Sequence, residues 1–170
     1  MAFPSGWGRK QKITIDNTKV SGSADLTDFP MLITLDHLDN TIVDTGLTSA
    51  LNGGGDVRFS SDSAGATQLA CEVVNFVTDA TPANRKCEIW VKIPTVNHNV
   101  DTDIYIWYSK TGEMQPAVTA TYGRNAVWAN FQGVWHMGTT TDSIGNSHDL
   151  TTFNAPTLTD GTFGSALTFN

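Results

Sequence analysis

Three groups of side chains in this chain are of types that could bind or react. Trp90, Tyr105 and Trp107 form the first. Flat aromatic rings pack on the apolar faces of sugars, while polar groups at the rim set orientation. Trp90 shares a strand face with Glu88 and Lys92, and Trp107 shares one with Tyr105. A glycan-binding patch therefore forms if the two segments are neighbours in one sheet. The opposing reading covers Trp90 with the junction segment or with a following module. Asp142, Asn146 and Asp149 form the second group. No cofactor is expected; calcium, which takes oxygen ligands from Asp, Asn and backbone carbonyls in loops of this kind, is the one that these residues would admit. Their plain reading is an Asx-rich turn. His136 and His148 lie nearby, but their spacing fits no zinc framework.

The third group is the glutamates, Glu72, Glu88 and Glu113. Glycoside hydrolysis needs two carboxylates roughly 5–10 Å apart across the bond, and the sequence places no such pair. Most aspartates, among them Asp56, Asp62 and Asp142, sit where turns need them. Neither a Gly-x-Ser-x-Gly elbow nor a His-Glu-x-x-His pair occurs. Gly53-Gly54-Gly55 lacks the Lys-Ser/Thr that a phosphate loop requires. No catalytic residue is assigned, and the chain is expected to be non-enzymatic.

The elements that must hold these residues are strands. Lys12-Ile13-Thr14-Ile15-Asp16 alternates polar and apolar, and no helical period of useful length appears. Phe29 to Leu35 reads as a more fully buried strand, opened by Pro30. One helical turn fits within Thr41 to Leu51, and Asn52 to Asp56 is a loop. Further strands are expected at Val57–Ser60, Gln68–Val77 and Cys87–Ile93. In the last of these Cys87, Ile89, Val91 and Ile93 share one face. Asp103 to Tyr108 is apolar on both faces, which places it centrally in a sheet. The expected fold is all-β: an antiparallel, jelly-roll-like β-sandwich over residues 1–112. A linker, 113–126, includes a short helix or extended connector within Ala117 to Asn130. If the turn before Cys87 centres on Thr81-Pro82, Cys71 faces roughly position 92 and Cys87 roughly position 76. That register leaves two buried free thiols.

At 170 residues the chain fits one domain or one domain with an appendage. Charged residues make up only 16%, with Thr, Ser, Asn and Gly in their place, as in extracellular or particle-surface β proteins. A net charge of −7 argues against nucleic acid as a partner, because binding phosphates needs a basic face. The few cations near the start (Arg9, Lys10, Lys12, Lys19) read as a solvated strand edge, or as a docking patch for an acidic neighbour. No apolar run approaches the ~20 residues of a membrane span, and the start carries no signal-peptide pattern. A surface composition without an export signal suits either a fragment or a virion protein, and the intact initiator Met favours the virion.

Several motifs occur in order: Trp7…Lys12-Ile13-Thr14-Ile15, Asp28-Phe29-Pro30-Met31-Leu32-Ile33, Gly55-Asp56-Val57-Arg58-Phe59, Glu88-Ile89-Trp90-Val91-Lys92-Ile93-Pro94 and Thr102 to Tyr108. Together they resemble an uncharacterised β-sandwich domain family of bacterial envelope and phage virion proteins, over about residues 5–112. The chain departs from that family at Ser109-Lys110, where members usually turn through Gly-Asn. Members commonly precede a laminin-G/concanavalin-A-like lectin domain. Residues 127–170 resemble the opening of one, with Gly133-Val134-Trp135-His136-Met137, Asp142…Gly145-Asn146 and Gly161…Gly164…Leu167…Phe169. In that setting Trp135-His136 is core rather than ligand site. The closing run reads as a strand beginning. Phe163 to Asn170 is expected to be an exposed edge paired with another chain, or the last ordered part of a longer protein. A tail that closed the first sandwich would remove the two-module reading.

The resemblance implies a structural or adhesion module at a virion surface: a phage tail, fibre or capsid-decoration component. Its expected partners are other virion subunits, as a homo-oligomer, and a cell-surface glycan, with no membrane insertion. The alternative is a carbohydrate-binding module of a secreted or envelope bacterial protein, or an accessory domain of a polysaccharide-degrading enzyme.

Overall fold

Strand-forming residues separated by Gly, Asp and Pro turns produce an all-β protein. The computed structural model describes residues 3–145, 148–161 and 164–169. In chain order its elements are β1 (Arg9–Ile15), β2 (Leu26–Ile33), a single turn α1 (Asn40–Val43), β3 (Arg58–Ser60), β4 (Gln68–Leu69), β5 (Cys71–Val77), β6 (Lys86–Val96), β7 (Thr102–Tyr108), a second turn α2 (Arg124–Val127), and the hairpin β8 (Thr157–Asp160) and β9 (Ser165–Thr168). Every strand pair is antiparallel. A four-stranded sheet runs β1-β7-β3-β4 and a three-stranded sheet runs β2-β6-β5. No helix among the described residues is long and apolar enough to cross a membrane.

Period-two alternation builds the sandwich core. Ile13, Phe59, Leu69, Ile104 and Ile106 from the larger sheet meet Ile33, Cys71, Phe76, Ile89, Val91 and Ile93 from the smaller. Phe59, Ile89, Ile104 and Ile106 are completely buried. β7 lies between β1 and β3, as its two apolar faces require.

Sequence expectation and structure part company in three places. The strand around Pro30 starts earlier, at Leu26, and it is an edge strand. Phe29 is exposed and Pro30, Met31 and Leu32 are half-buried. An edge tolerates a mid-strand proline because one side of its ladder needs no donor. The cysteine register is also shifted by one. Cys87 faces Phe76 as expected, but Cys71 faces Val91, because a bulge between Val73 and Asn75 inserts an extra residue into β5. Both thiols are free, and burial pushes each up to about 12, so neither is a ready nucleophile. The third difference concerns the aromatics. β6 and β7 belong to different sheets, so Trp90 and the Tyr105–Trp107 pair do not form one patch.

Two segments close the outer faces of the sandwich. On the larger sheet, Trp7 Nε1 donates to the Asp56 carbonyl at 2.5 Å, and the Lys110 ammonium sits 3.8 Å over the Trp7 ring. Buried Arg58 donates to Glu113 at 3.2 Å and to the Met114 carbonyl at 2.6 Å. Residues 113–115 are thus tied down rather than free as a tether. At the turn leaving β7, Ser109 holds a left-handed backbone (φ 65°). This is the position where the resembled family carries glycine-asparagine, and where glycine is unstrained.

The smaller sheet is closed by α2 and the residues after it. Val127, Trp128 and Ile144 form a second buried cluster with Ala70, against which Trp90 and Val134 pack. Among the described residues the β8–β9 hairpin pairs only with itself and contributes no strand to either sheet of the sandwich. β8 is exposed along its length. Phe163 and Asn170, the two ends of the expected tail strand, lie outside the described residues.

Candidate functional site

The outer face of β5 and β6 gathers a cluster of interacting ionisable and aromatic side chains. Alternation along β6 turns Glu88, Trp90 and Lys92 away from the core. Antiparallel pairing sets Glu72 of β5 opposite Trp90, and Asn75 opposite Glu88. The junction then returns across this face. The Cys71 N–H donates to the Tyr122 carbonyl at 3.3 Å. At Gly123 a side chain would collide with the Ala117 carbonyl oxygen, so glycine permits the tight turn that starts α2. One residue beyond α2, Trp128 reaches the sheet.

There Trp128 Nε1 donates to Glu72 Oε2 at 2.5 Å. His136 Nε2 shares the same carboxylate oxygen at 2.9 Å. An ionised carboxylate only accepts, so the Nε2 atom carries the proton in that bond. The other ring nitrogen, Nδ1, lies 3.8 Å from Glu88 Oε1. The His136 ring stacks on Trp90 with centroids 6.0 Å apart, and Trp128 tilts against Trp90 at 5.3 Å. Glu72 is only 6% exposed. A carboxylate so buried is costly unless charge-assisted bonds compensate, and the two donors on Oε2 do so.

The arrangement is a polar clasp between the sheet and the downstream segment. Trp128 and His136 both donate to one carboxylate, and among the described residues His136 is hydrogen-bonded to no hydroxyl or thiol. Beyond the clasp lies a cavity of about 900 Å³, lined by Glu72, Glu88 and His136 on one side and by Gly161, Gly164 and Ser165 of the hairpin on the other.

The residues singled out from sequence have separate fates. Trp90 is half-buried beneath Trp128 and His136, in keeping with cover by the chain's own junction. Trp107 lies on the opposite side of the sandwich and is 9% exposed. Its indole donates to Ser60 Oγ at 2.8 Å, Phe3 meets it edge-on, and Lys10 lies 4.9 Å over its ring. Tyr105 is half-buried beside it. Asp142 and Asp149 do come together: the Asp142 N–H donates to Asp149 Oδ1 at 2.8 Å. Asp142 Oδ1 accepts from the N–H groups of Val134 and Ile144. Burial opposes ionisation of Asp142, yet those bonds and nearby His148 hold its carboxyl below the usual range. Asn146 lies outside the described residues. Among the described residues no group of three or more His, Cys, Asp or Glu is placed to hold a metal ion.

From the sequence, Glu72 and Glu88 are weighed as glycosidase carboxylates and Glu88 is put on the face of Trp90, but the two glutamates are not brought together. The signal that could have raised them is the pattern Cys71-Glu72-Val73 opposite Glu88-Ile89-Trp90. An acid facing outward on each of two neighbouring strands, beside a tryptophan, needs a partner from elsewhere.

Fold and face together define a two-sheet antiparallel β-sandwich clasped to a C-terminal segment. Comparison with protein-family models, with curated proteins and with solved structures finds no match to the chain.

Proposed function

We propose that the chain is a non-enzymatic structural and adhesion module of a virion surface protein, such as a phage tail, fibre or capsid-decoration component. Its jelly-roll-like sandwich docks on neighbouring subunits of a homo-oligomer and presents the lectin-like region to the host surface. The observation that carries this reading is the clasp of Trp128 and His136 on Glu72. A spacer that only tethers needs no such bond, whereas a base that orients the next segment does. Edge strand β1 supports docking, since Arg9 and Lys10 are exposed along it and suit an acidic neighbour.

Mass spectrometry of purified particles tests this role: the chain is expected in fixed stoichiometry with the other subunits. Absence from particles overturns it. Release of reducing sugar from any member of a polysaccharide panel overturns the non-enzymatic assignment. The cavity beside the clasp favours a second reading, a carbohydrate-binding module of a secreted or envelope protein. A soluble monomer that retains polysaccharide would favour that reading over the first.

A further inference from the structure

A cavity lies between the outer face of the smaller sheet and the C-terminal hairpin, beside the clasp. Its volume of about 900 Å³ falls within the roughly 300–1,000 Å³ usual for small-molecule sites. Its hydrogen-bonding groups are only partly committed. The Glu88 carboxylate is 13% exposed; among the described residues its ion-pair partner, His136 Nδ1, lies at 3.8 Å, beyond hydrogen-bond reach, and the hairpin backbone at Gly164 packs against Oε2. Arg124 on the wall bonds only through Nε, to Asn125 Oδ1 at a long 3.4 Å. Both of its terminal amino groups are therefore uncommitted among the described residues.

We propose that this cavity binds a short saccharide, neutral or amino-substituted, through Glu88, Glu72 and Arg124. A sugar hydroxyl both donates and accepts, so adjacent hydroxyls satisfy a carboxylate and a guanidinium together. The hydroxyls of Thr139, Thr141 and Ser165, also on the lining, extend the same chemistry. Charge sets the selectivity. The lining holds four carboxylates (Asp36, Glu72, Glu88 and Asp160) against two cations, Lys86 and Arg124. An acidic sugar is repelled on balance, while an amino group is welcome. This site differs from an aromatic platform: neither Trp90 nor Trp107 lines it, and recognition runs through polar groups.

The experiment titrates the full chain with cellobiose, chitosan disaccharide and digalacturonate, each up to about 10 mM, reading amide NMR shifts and heats of binding. Saturable binding of cellobiose or chitosan disaccharide is expected, with shifts centred on Glu72, Glu88, Arg124 and His136. Glu88→Gln lowers that affinity by about tenfold or more, and Lys19→Gln leaves it unchanged. If Glu88→Gln fails to fold, Arg124→Gln carries the same expectation. No saturable shift with either disaccharide, a preference for digalacturonate, or an unchanged affinity in the folded variant overturns the proposal. This saccharide site rests on the carbohydrate-binding reading of the cavity and not on the virion role; retention of polysaccharide with no disaccharide binding sinks this inference and leaves that reading standing. A chain that is stoichiometric in particles yet binds no saccharide sinks this inference alone, and the converse result sinks only the virion role.

Discussion

The sandwich and the region after α2 bury their apolar residues in different ways. In the sandwich two sheets face each other, so each strand covers and is covered, and side chains such as Phe59, Ile89 and Ile104 lose all contact with water. The later region lacks a second layer of its own. Its buried residues, Val127, Trp128 and Ile144, find cover on the outer face of β5 and β6. In and beside its hairpin, Phe153, Leu158 and Phe169 stay more than half exposed. The lesson is one of dependence. The first region buries its core between its own two sheets, whereas the second borrows a surface, and a few polar bonds to Glu72 fix where it sits.

The largest expected effect tests the independent core. Phe59→Ala removes a fully buried ring between the sheets and should cost about 4 kcal/mol of global stability, read as a lowered denaturant midpoint. A loss below about 1 kcal/mol would mean that the core is not the shared one described. Trp128→Ala comes next. It should lower local stability by about 3 kcal/mol, because it removes both a buried ring and a donor to Glu72. Hydrogen exchange should quicken over residues 123–145 while β6 and β7 stay protected. If β6 and β7 lose protection equally, the two regions form one cooperative unit and the contrast fails.

A smaller effect lies at the sandwich's exit. Ser109→Gly relieves a left-handed serine and should stabilise the fold by up to about 1 kcal/mol, seen as a raised melting temperature. A lowered one would show that the serine side chain has a role that backbone strain does not capture.

The smallest effect is electrostatic. N–H groups of Ala66 and Thr67 hold the Asp62 carboxyl below its usual value, and the Thr14 hydroxyl, aided by Lys12, does so for Asp103. In the other region Asp142 is lowered too. Groups whose folded pKa is depressed give stability that is present above their unfolded pKa, near 3.8. That stability is lost as pH falls through the lower folded value. Denaturation midpoints should therefore hold from pH 7 to about 4 and decline below that. Exchange over residues 134–144 should quicken in the same acid window. A decline beginning near neutrality would show that these carboxylates do not set the acid limit.

Much of this was legible in the residues. Alternation in Cys87 to Ile93 gave the inward and outward faces of β6 correctly, and the doubly apolar Asp103 to Tyr108 run located an interior strand of its sheet. The Thr81-Pro82 turn gave the facing partner of Cys87, and only the bulge in β5 displaced that of Cys71. Pairing across sheets was not legible. Trp90 and Trp107 carry the same local pattern, yet β6 and β7 lie in opposite layers. The clasp was invisible for a similar reason: Glu72 and His136 are 64 positions apart, and no periodicity links them.

Sequence alone settles what depends on neighbours along the chain. Side-chain alternation, turn residues and the lack of helical period make this an all-β protein with an inward face of Ile, Val and Phe, because strand geometry repeats every two residues whatever the rest of the chain does. Tertiary structure decides what depends on residues far apart. It put the two candidate aromatic groups on opposite sides of the sandwich, brought Trp128 and His136 onto one buried carboxylate, and left Glu88 and Arg124 facing a cavity. Those outcomes turn on which sheet each strand joins and which face the returning segment covers. Long-range burial and the need to satisfy a buried charge make that choice.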